Sequence, residues 1–221
     1  TKVSAATPSL MLLDDRGTFD PEQTLGYYLP WYRVSDKGDI VVRDMLAHQS
    51  GLKPFIPFWR STMENDSTFK KGIYSDYTNR KFALRVSDSL YMNRHYLKDM
   101  FREIRDSPLG KKKYVYSDLN FILAAEIIES ITDSTVDKFA TANIYRPIGA
   151  FNITYRPAEK YPLERIVPTE YDSLFRKQLI RGTVHDEGAA MLGGVSGHAG
   201  LFATGNDLLK LVEMYRRGGE Y

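Results

Sequence analysis

YVYSDLNFILAAEII, residues 114–128, is the stretch of this sequence that decides the fold. A short run with β propensity ends at Tyr116, and a helix begins after it with Ser117 or Asp118 as its N-cap. Residues 119–128 are apolar almost all around the helix, which is typical of a helix buried in the middle of a domain. A polar Tyr-Ser-Asp turn above such a helix is a rigid support for catalytic groups. A capped core helix with an ordinary tyrosine before it is the simpler interpretation.

The composition fits one globular unit with a sizeable core. The chain has 221 residues, of which 43% are hydrophobic and 26% are charged. The net charge of +2 neither favours nor excludes nucleic acid. The basic run Lys111–Lys113 has no aromatic residues between its lysines, which indicates a solvated loop. We therefore predict no nucleic-acid partner.

The chain lacks cysteine, which excludes thiol catalysis and leaves the redox compartment open. No apolar run is long enough to cross a membrane, and no signal peptide is recognisable. The first residues already resemble the interior of a domain, so we expect the chain to be a fragment. The missing signal then carries no information about the parent protein.

Apolar periodicity predicts helices on both sides of the central stretch. The first covers residues 1–13, where Pro8 must kink the helix or shift its start. The second covers residues 40–48 and ends at Gly51. Further helices are predicted from Tyr96 to Ile104, from a cap at Ser134 to Pro147, and from a cap at Thr204 or Asn206 to Gly218. The first and last helices should each bury one face, formed by Val3, Ala6, Leu10 and Leu13 and by Leu208, Leu211, Val212 and Tyr215.

Two long segments are predicted to be irregular. Residues 54–94 are rich in aromatic side chains, and loops of this kind usually line a site or pack over one. A meandering surface cover is an equally open interpretation of them. The second irregular segment ends near Val184, and short strands are predicted at residues 152–155 and 201–203.

Several catalytic patterns fail on inspection. Residues 194–198 are not a nucleophile elbow, because the G-x-S-x-G pattern requires glycine where His198 stands. A triad formed by Ser196, His185 and Asp186 is chemically conceivable, but nothing in the spacing supports it.

No metal or cofactor site is predicted. His185, Asp186 and Glu187 are metal-ligand types, yet adjacent residues point in different directions in a helix or a strand. His48 and His95 have no ligand partner at helical spacing, and no phosphate-binding loop is present.

Five places in the chain resemble one family in the same order. Thr1-Lys2 resembles the end of an S-x-T-K motif, and residues 18–30 resemble the segment that leads away from the helix after it. RDMLAHQSGL at residues 43–52 resembles R-D-L-L-T-H-T-S-G-L, and Tyr116-Ser117-Asp118 stands where the family has Y-x-N. Residues 197–208 resemble G-x-G-L-x-S-T-x-x-D-L. Together these motifs resemble the serine β-lactamase and penicillin-binding-protein superfamily, on its class C and β-lactamase-like esterase side.

The resemblance implies an α+β parent of the β-lactamase/transpeptidase-like fold, of which this chain is a mostly helical part. We expect residues 1–221 to form a single partial domain. Residues 1–30 would begin the α/β lobe, residues 31–180 would form the helical lobe with its aromatic-rich insert, and residues 181–221 would return to the α/β lobe.

The resemblance also implies roles for three residues. Lys2 matches the lysine that takes the proton of the nucleophilic serine, and desolvation would lower its pKa for this role. Tyr116 matches the tyrosine that relays the proton to the leaving group. Asp118 stands where an asparagine usually orients the substrate. Because an ionised aspartate only accepts hydrogen bonds, this departure favours substrates other than lactams.

The same resemblance places the nucleophilic serine two residues before Thr1, and a K-T-G or H-T-G strand beyond Tyr221. We therefore expect residues 1–221 to be inactive by themselves. The parent is expected to be a serine hydrolase that forms an acyl-enzyme with an ester, a D-amino peptide or a lactam. It would need no cofactor, act on a small-molecule or peptide substrate, and work in the periplasm or another extracytoplasmic compartment connected with the cell envelope.

Two non-catalytic alternatives stay open. The same cleft could bind a peptidoglycan peptide or a partner protein without reacting, or the chain could be a helical interaction domain without a cleft. A narrower resemblance concerns the aromatic insert and residues 184–187, which look most like the serine hydrolase domain that Bacteroidetes proteins attach to a family 3 glycosidase. It implies a fusion to a glycosidase domain in the parent.

Overall fold

The computed structural model describes residues 1–65 and 68–221. The α-helices are α1 (Thr7–Asp15), α2 (Leu25–Tyr28), α3 (Val42–Leu46), α4 (Leu97–Asp106), α5 (Asp118–Thr132), α6 (Val136–Ala140), α7 (Glu187–Met191) and α8 (Gly205–Arg216). The strands are β1 (Tyr74–Ser75), β2 (Phe82–Ser87), β3 (Leu90–Asn93), β4 (Thr154–Tyr155), β5 (Glu170–Asp172), β6 (Gln178–Ile180) and β7 (Leu201–Phe202). In this part of the chain, no helix has the length and apolar character needed to cross a membrane.

Helix α5 lies in the middle of the main hydrophobic core, as its sequence predicts. Leu119, Leu123 and Ile127 are fully buried along it. Helices α2, α3 and α6 pack against α5, and so does a π-helical turn at Lys2–Ala6. Because α5 is enclosed by these elements, its N-terminal end is held rigidly where Asp118 begins the helix.

The first predicted helix forms, and three of the four residues of its predicted buried face, Ala6, Leu10 and Leu13, are buried. Its first turn is the π-helical turn, and the α-helix proper starts only at Thr7, next to Pro8. A π-helical turn contains more residues than an α-helical turn and therefore rotates the preceding side chains. As a result Ala5 is buried in place of Val3, which is exposed, contrary to the prediction.

The run before α5 is extended but is not a β-strand. Its backbone makes single hydrogen bonds to the segment after α3 instead of a ladder. Val115 N donates to the carbonyl of His48 at 2.8 Å, and Asp118 N donates to the carbonyl of Pro54 at 2.8 Å. The predicted strand ending at Tyr116 is therefore wrong, although these bonds still fix the course of the backbone.

The aromatic segment after residue 54 contains a three-stranded antiparallel sheet in the order β1-β3-β2, which the sequence analysis did not predict. Two register irregularities in β2 disturb the alternation of apolar and polar residues, and this alternation is the usual sequence signal of a strand. The second segment predicted to be irregular contains the hairpin β5–β6. Asp66 and Ser67, which fall in the first segment, lie outside the described residues.

Two helix ends differ from the predictions. Helix α3 ends at Leu46 and not at Gly51. The first residue after it with left-handed backbone geometry is His48, which has a φ of 58°. Helix α6 has Thr135 as its N-cap, whereas Ser134 was predicted. The positive φ of His48 turns the chain toward the start of α5, which matters for the site.

The predicted strands β4 and β7 form and pair antiparallel, with Tyr155 opposite Leu201. The pair holds the end of a glycine-rich loop, residues 193–200. Helix α8 follows with Thr204 as its N-cap, one of the two predicted caps. Only Leu211 of its predicted apolar face is fully buried, because the helix touches the second hydrophobic cluster along a narrow line.

Candidate active site

Lys2 and Asp118 meet at the N-terminal end of α5. Lys2 Nζ lies 2.6 Å from Asp118 Oδ1, and the two side chains are 17% and 28% exposed. A carboxylate in the first turn of a helix is favoured by the helix dipole. The π-helical turn brings Lys2 to this position from the other end of the chain. The ion pair is therefore anchored on both sides by core elements.

Tyr116 completes the group of predicted site residues. The centre of its ring lies 4.8 Å from Lys2 Nζ, and the residue is 53% exposed. The ring of Phe121 is 5.9 Å from the same nitrogen on the buried side. Lys2, Tyr116 and Asp118 are thus brought together, and the tyrosine is the member of the three that is most open to a ligand.

The pKa of Lys2 is raised, contrary to the sequence-based expectation. Burial lowers this pKa and is the largest single influence. Hydrogen bonding to Asp118 and Tyr116, together with their negative charge when ionised, raises it and outweighs the burial. The aspartate at the position of the family's asparagine is the main reason, because a carboxylate stabilises the ammonium form. Lys2 is consequently an ammonium ion while this pair is intact.

His48 holds the turn that carries Tyr116, a role that the sequence analysis did not assign. Its Nδ1 atom accepts a hydrogen bond from Ser117 N at 3.0 Å and lies 3.1 Å from Asn120 Nδ2. Its ring centre is 4.5 Å from that of Tyr116. Burial and the positive charge of Lys2 lower the pKa of His48. The neutral imidazole therefore accepts at Nδ1 and supports the tyrosine from behind.

A second polar chain lies beneath the glycine-rich loop. Ser196 Oγ is 2.7 Å from His198 Nδ1, and His198 Nε2 is 2.9 Å from Asp186 Oδ1. A triad of Ser196, His185 and Asp186 was conceivable from the sequence but had no support in the spacing, and the structure does not form it. The chain turns back at glycines, so that His198, and not His185, lies between the other two residues. No spacing rule for a regular helix or strand could have found it.

Ser196 is not accessible as a nucleophile in this arrangement. It is 2% exposed, and its hydroxyl faces the histidine ring under the loop. Asp186 also caps α7 by accepting a hydrogen bond from Ala189 N at 2.7 Å. Burial raises the pKa of Asp186, but the bonds to His198 and to Ala189 N outweigh it and lower the pKa. Ser196 and His198 are therefore the buried part of a network that ends at a partly exposed, ionised carboxylate.

A cavity of about 240 Å³ is lined by members of both polar groups. Asp118 lies on one side of it, Asp186 and His198 on another, and residues 55–60 with their aromatic side chains form a wall. The start of the aromatic segment therefore lines a site, and this favours the first of the two interpretations left open above. Over residues 1–65 and 68–221, no group of three or more histidine, aspartate or glutamate side chains is arranged to hold a metal ion.

The chain has curated relatives and structural neighbours. A protein of Escherichia coli (strain K12), named as a proposed D-alanyl-D-alanine carboxypeptidase, is 28% identical over 242 residues, which cover 100% of this chain and 50% of that protein. The chain thus spans about half the length of the curated relatives it matches.

Two solved structures match almost the whole chain. The octameric penicillin-binding protein homologue from Pyrococcus abyssi matches with a TM-score of 0.64 and 15% identity, over 99% of this chain and 44% of that one. The D-amino acid amidase from Ochrobactrum anthropi SV3 matches with a TM-score of 0.61 and 19% identity, over 99% of this chain and 55% of that one. At these identities the matches show the β-lactamase/transpeptidase-like α+β fold. The model of the family described as Beta-lactamase matches residues 1–221, and the chain therefore belongs to the β-lactamase family.

Proposed function

We propose that this chain is part of a serine hydrolase of the β-lactamase-related type, which acts through an acyl-enzyme on an ester, a D-amino peptide or a lactam. The observation that carries the proposal is the meeting of Lys2, from the start of the chain, with Tyr116 and Asp118, the last of which lines the cavity. The names of the E. coli relative and of the amidase favour a substrate with a D-amino acid beside the bond that is cleaved.

In the proposed reaction, the hydroxyl of a serine one helical turn before Lys2 attacks the substrate carbonyl. The serine loses its proton to a base, the tetrahedral intermediate collapses to an acyl-serine, and the leaving group takes up a proton through Tyr116. Water then attacks the acyl-serine by the same steps in reverse order, which releases the acid and restores the serine. Lys2 is the candidate base.

The ion pair sets a condition on this role. Lys2 accepts a proton only after it has lost one, and Asp118 keeps it protonated at 2.6 Å. A substrate N–H that binds to the Asp118 carboxylate would weaken the ion pair and lower the pKa of Lys2. Binding of an amide or peptide substrate would in this way prepare the base. This is a physical reason for an aspartate at this position in an enzyme for peptides.

The second candidate function is a non-catalytic module that binds a peptidoglycan peptide or a partner protein in the same cavity. The observation in its favour is the protonated Lys2, since a permanently protonated lysine is a binding group and not a base. An extracytoplasmic location and a fusion to a glycosidase domain remain further proposals, each resting on the family resemblance.

The experiment that separates the two functions is mass spectrometry of the full-length protein after treatment with a fluorophosphonate probe. The hydrolase should give a stoichiometric adduct on the serine that precedes Lys2 by one helical turn. The same protein with Lys2→Met is the control and should react much more slowly. A full-length protein that binds a stem peptide saturably but forms no adduct would support the binding module instead.

A further inference from the structure

We propose that His198 is a positioning residue for Lys2. Its imidazole ring, held between Ser196 and Asp186, fixes the His198 carbonyl against the Lys2 ammonium group. The inference rests on the proposed function for its kinetic consequence, whereas its effect on Lys2 itself can be measured without any activity.

The loop that carries His198 is fixed at three consecutive residues. The hydroxyl of Tyr155 donates a hydrogen bond to the carbonyl of Ser196 at 3.0 Å. Gly197 packs so closely on α5 that an added Cβ would lie 2.1 Å from the carbonyl oxygen of Phe121, so only glycine fits. The His198 ring then adds its own two hydrogen bonds. The loop is therefore pressed onto the helix that carries Asp118.

The ring of His198 has no nitrogen left for a substrate. Its side chain is 3% exposed, and each ring nitrogen already has a partner within 2.9 Å. A general base needs a nitrogen within reach of the proton that it removes. His198 therefore acts through its position, and its two side-chain bonds orient the backbone of its own residue.

Two contacts connect this loop to the turn that carries Lys2. Lys2 Nζ lies 3.4 Å from the carbonyl oxygen of His198. One residue earlier, Thr1 Oγ1 accepts a hydrogen bond from Leu201 N at 3.1 Å. An ammonium group has three donors in fixed relative directions. With one directed at Asp118 and a second at this carbonyl, the direction of the third is also set, and Tyr116 is the remaining side chain that hydrogen-bonds to Lys2.

The charged and titratable groups around the two residues are few. Asp118, Tyr116 and His48 face Lys2. His198 faces Asp186, whose carboxylate is also close to His185. Because Asp118 is the main group that stabilises the Lys2 ammonium form, the His198 carbonyl is expected to stabilise it to a smaller extent. This smaller effect is nevertheless measurable as a change in the titration of one lysine.

The test is the titration of Lys2 in the full-length protein, followed by NMR of ¹³Cε-labelled lysine. The Lys2 signal is assigned by its loss in Lys2→Met. His198→Ala keeps the carbonyl group but frees it to move, so the midpoint of the Lys2 titration should fall because the ammonium loses an acceptor. The kcat for an activated ester should fall ~10-fold with little change in KM, the cost of a misdirected proton-transfer group.

Two further variants keep the test decisive. His198→Gln retains a donor toward Asp186, so it should fold even where the alanine variant does not, and it should restore most of the kcat and of the Lys2 midpoint. Asp207→Ala is the matched structural control, because Asp207 is also a buried carboxylate that accepts a backbone hydrogen bond, from Asn152 N at 2.6 Å. It should lower the melting temperature without moving the Lys2 midpoint.

The outcomes distinguish the positioning role of His198 from the proposed hydrolase function. If His198→Ala and His198→Gln lower the melting temperature as Asp207→Ala does, and the Lys2 midpoint and kcat stay at their wild-type values, His198 is a structural residue and the inference is overturned. If the wild-type protein hydrolyses none of the esters but the Lys2 midpoint still moves in His198→Ala, positioning stands and the proposed function fails.

Discussion

Lys2 Nζ lies 2.6 Å from Asp118 Oδ1, so the candidate base and the candidate substrate-binding residue form an ion pair. The pair joins the two ends of the site, the π-helical turn and the start of α5. Its chemical state controls whether Lys2 can take a proton. The first two predictions address its two members in turn.

Asp118→Asn should lower the pKa of Lys2, because the amide cannot stabilise the ammonium group by charge. If Lys2 is the base, the rise of kcat/KM with pH should move to lower pH in this variant. The measurement is the pH profile for an activated ester in the full-length protein. A profile that coincides with the wild-type profile would show that the pair does not control the base.

Lys2→Met in the full-length protein should lower the rate of acylation by ~10²–10⁴, the usual cost of losing a general base. Methionine keeps the length and much of the apolar contact of the side chain, so the fold should persist. Stopped-flow acylation with an activated ester and the melting temperature are the two measurements. Acylation at nearly the wild-type rate would show that Lys2 is not the general base.

A protein consisting of residues 1–221 alone should form no covalent adduct with a fluorophosphonate or with penicillin. The hydroxyl of Ser196 is buried and hydrogen-bonded to His198, which is why it should not substitute for the nucleophile. Intact-mass spectrometry after treatment is the measurement. A stoichiometric adduct on any serine of this chain, Ser196 included, would contradict both the missing-nucleophile expectation and this account of the network.

Glu126 on α5 should make stability depend on pH near neutrality. Burial, with a smaller influence from the charge of Glu129, raises the pKa of Glu126 to about 7. An acid whose pKa is higher in the folded than in the unfolded state contributes stability that is complete below about pH 4.5 and is lost as the pH rises through 7.

Glu126→Gln removes this dependence. At pH 8 its free energy of unfolding should exceed that of the wild type by about 3 kcal/mol, because no charge is then buried and the rise of the pKa from 4.5 to about 7 corresponds to that free energy. The difference should vanish near pH 4.5. Chemical denaturation at the two pH values is the measurement, with the exposed Glu164→Gln as the control. A constant difference between Glu126→Gln and the wild type at both pH values would rule out the proposed titration.

The parts of the fold that could be predicted are those with a strong local signal. Residues 119–128 of helix α5 are apolar almost all around, which predicts a helix buried in the core. The cap at Thr204 and the short strands β4 and β7 also follow from local rules. The sheet β1-β3-β2 escaped prediction because irregular register hides its alternation.

The site shows the same division. Lys2, Tyr116 and Asp118 are predicted from motifs, and the structure places the three side chains close together. His198 meets Asp186 only because a glycine-rich loop folds back on α7, and a contact of this kind has no fixed spacing in sequence. The raised pKa of Lys2 also escaped prediction, since it depends on the length of the bond to Asp118 and not on the identity of the residues alone.

The last prediction concerns Tyr116, whose backbone is fixed between His48 and α5. Tyr116→Phe keeps the ring and its contact with His48 and removes only the hydroxyl. If the ring serves packing alone, stability should fall by at most ~1 kcal/mol, the usual worth of one hydrogen bond, and turnover should not change. If the hydroxyl relays a proton, kcat for an activated ester should fall by ~10² or more with little change in melting temperature.

Tyr114→Phe is the matched control. Tyr114 belongs to the same extended run, is also exposed and also contacts the ring of His48, with ring centres 6.2 Å apart. No ring contact with the Lys2 ammonium is found for it among residues 1–65 and 68–221, whereas Tyr116 has one at 4.8 Å. Its hydroxyl should therefore be dispensable, and kcat should stay close to the wild-type value. Equal and small effects at the two positions would leave Tyr116 as a packing residue in front of a helix cap, because proximity to Lys2 is the feature that distinguishes the two tyrosines.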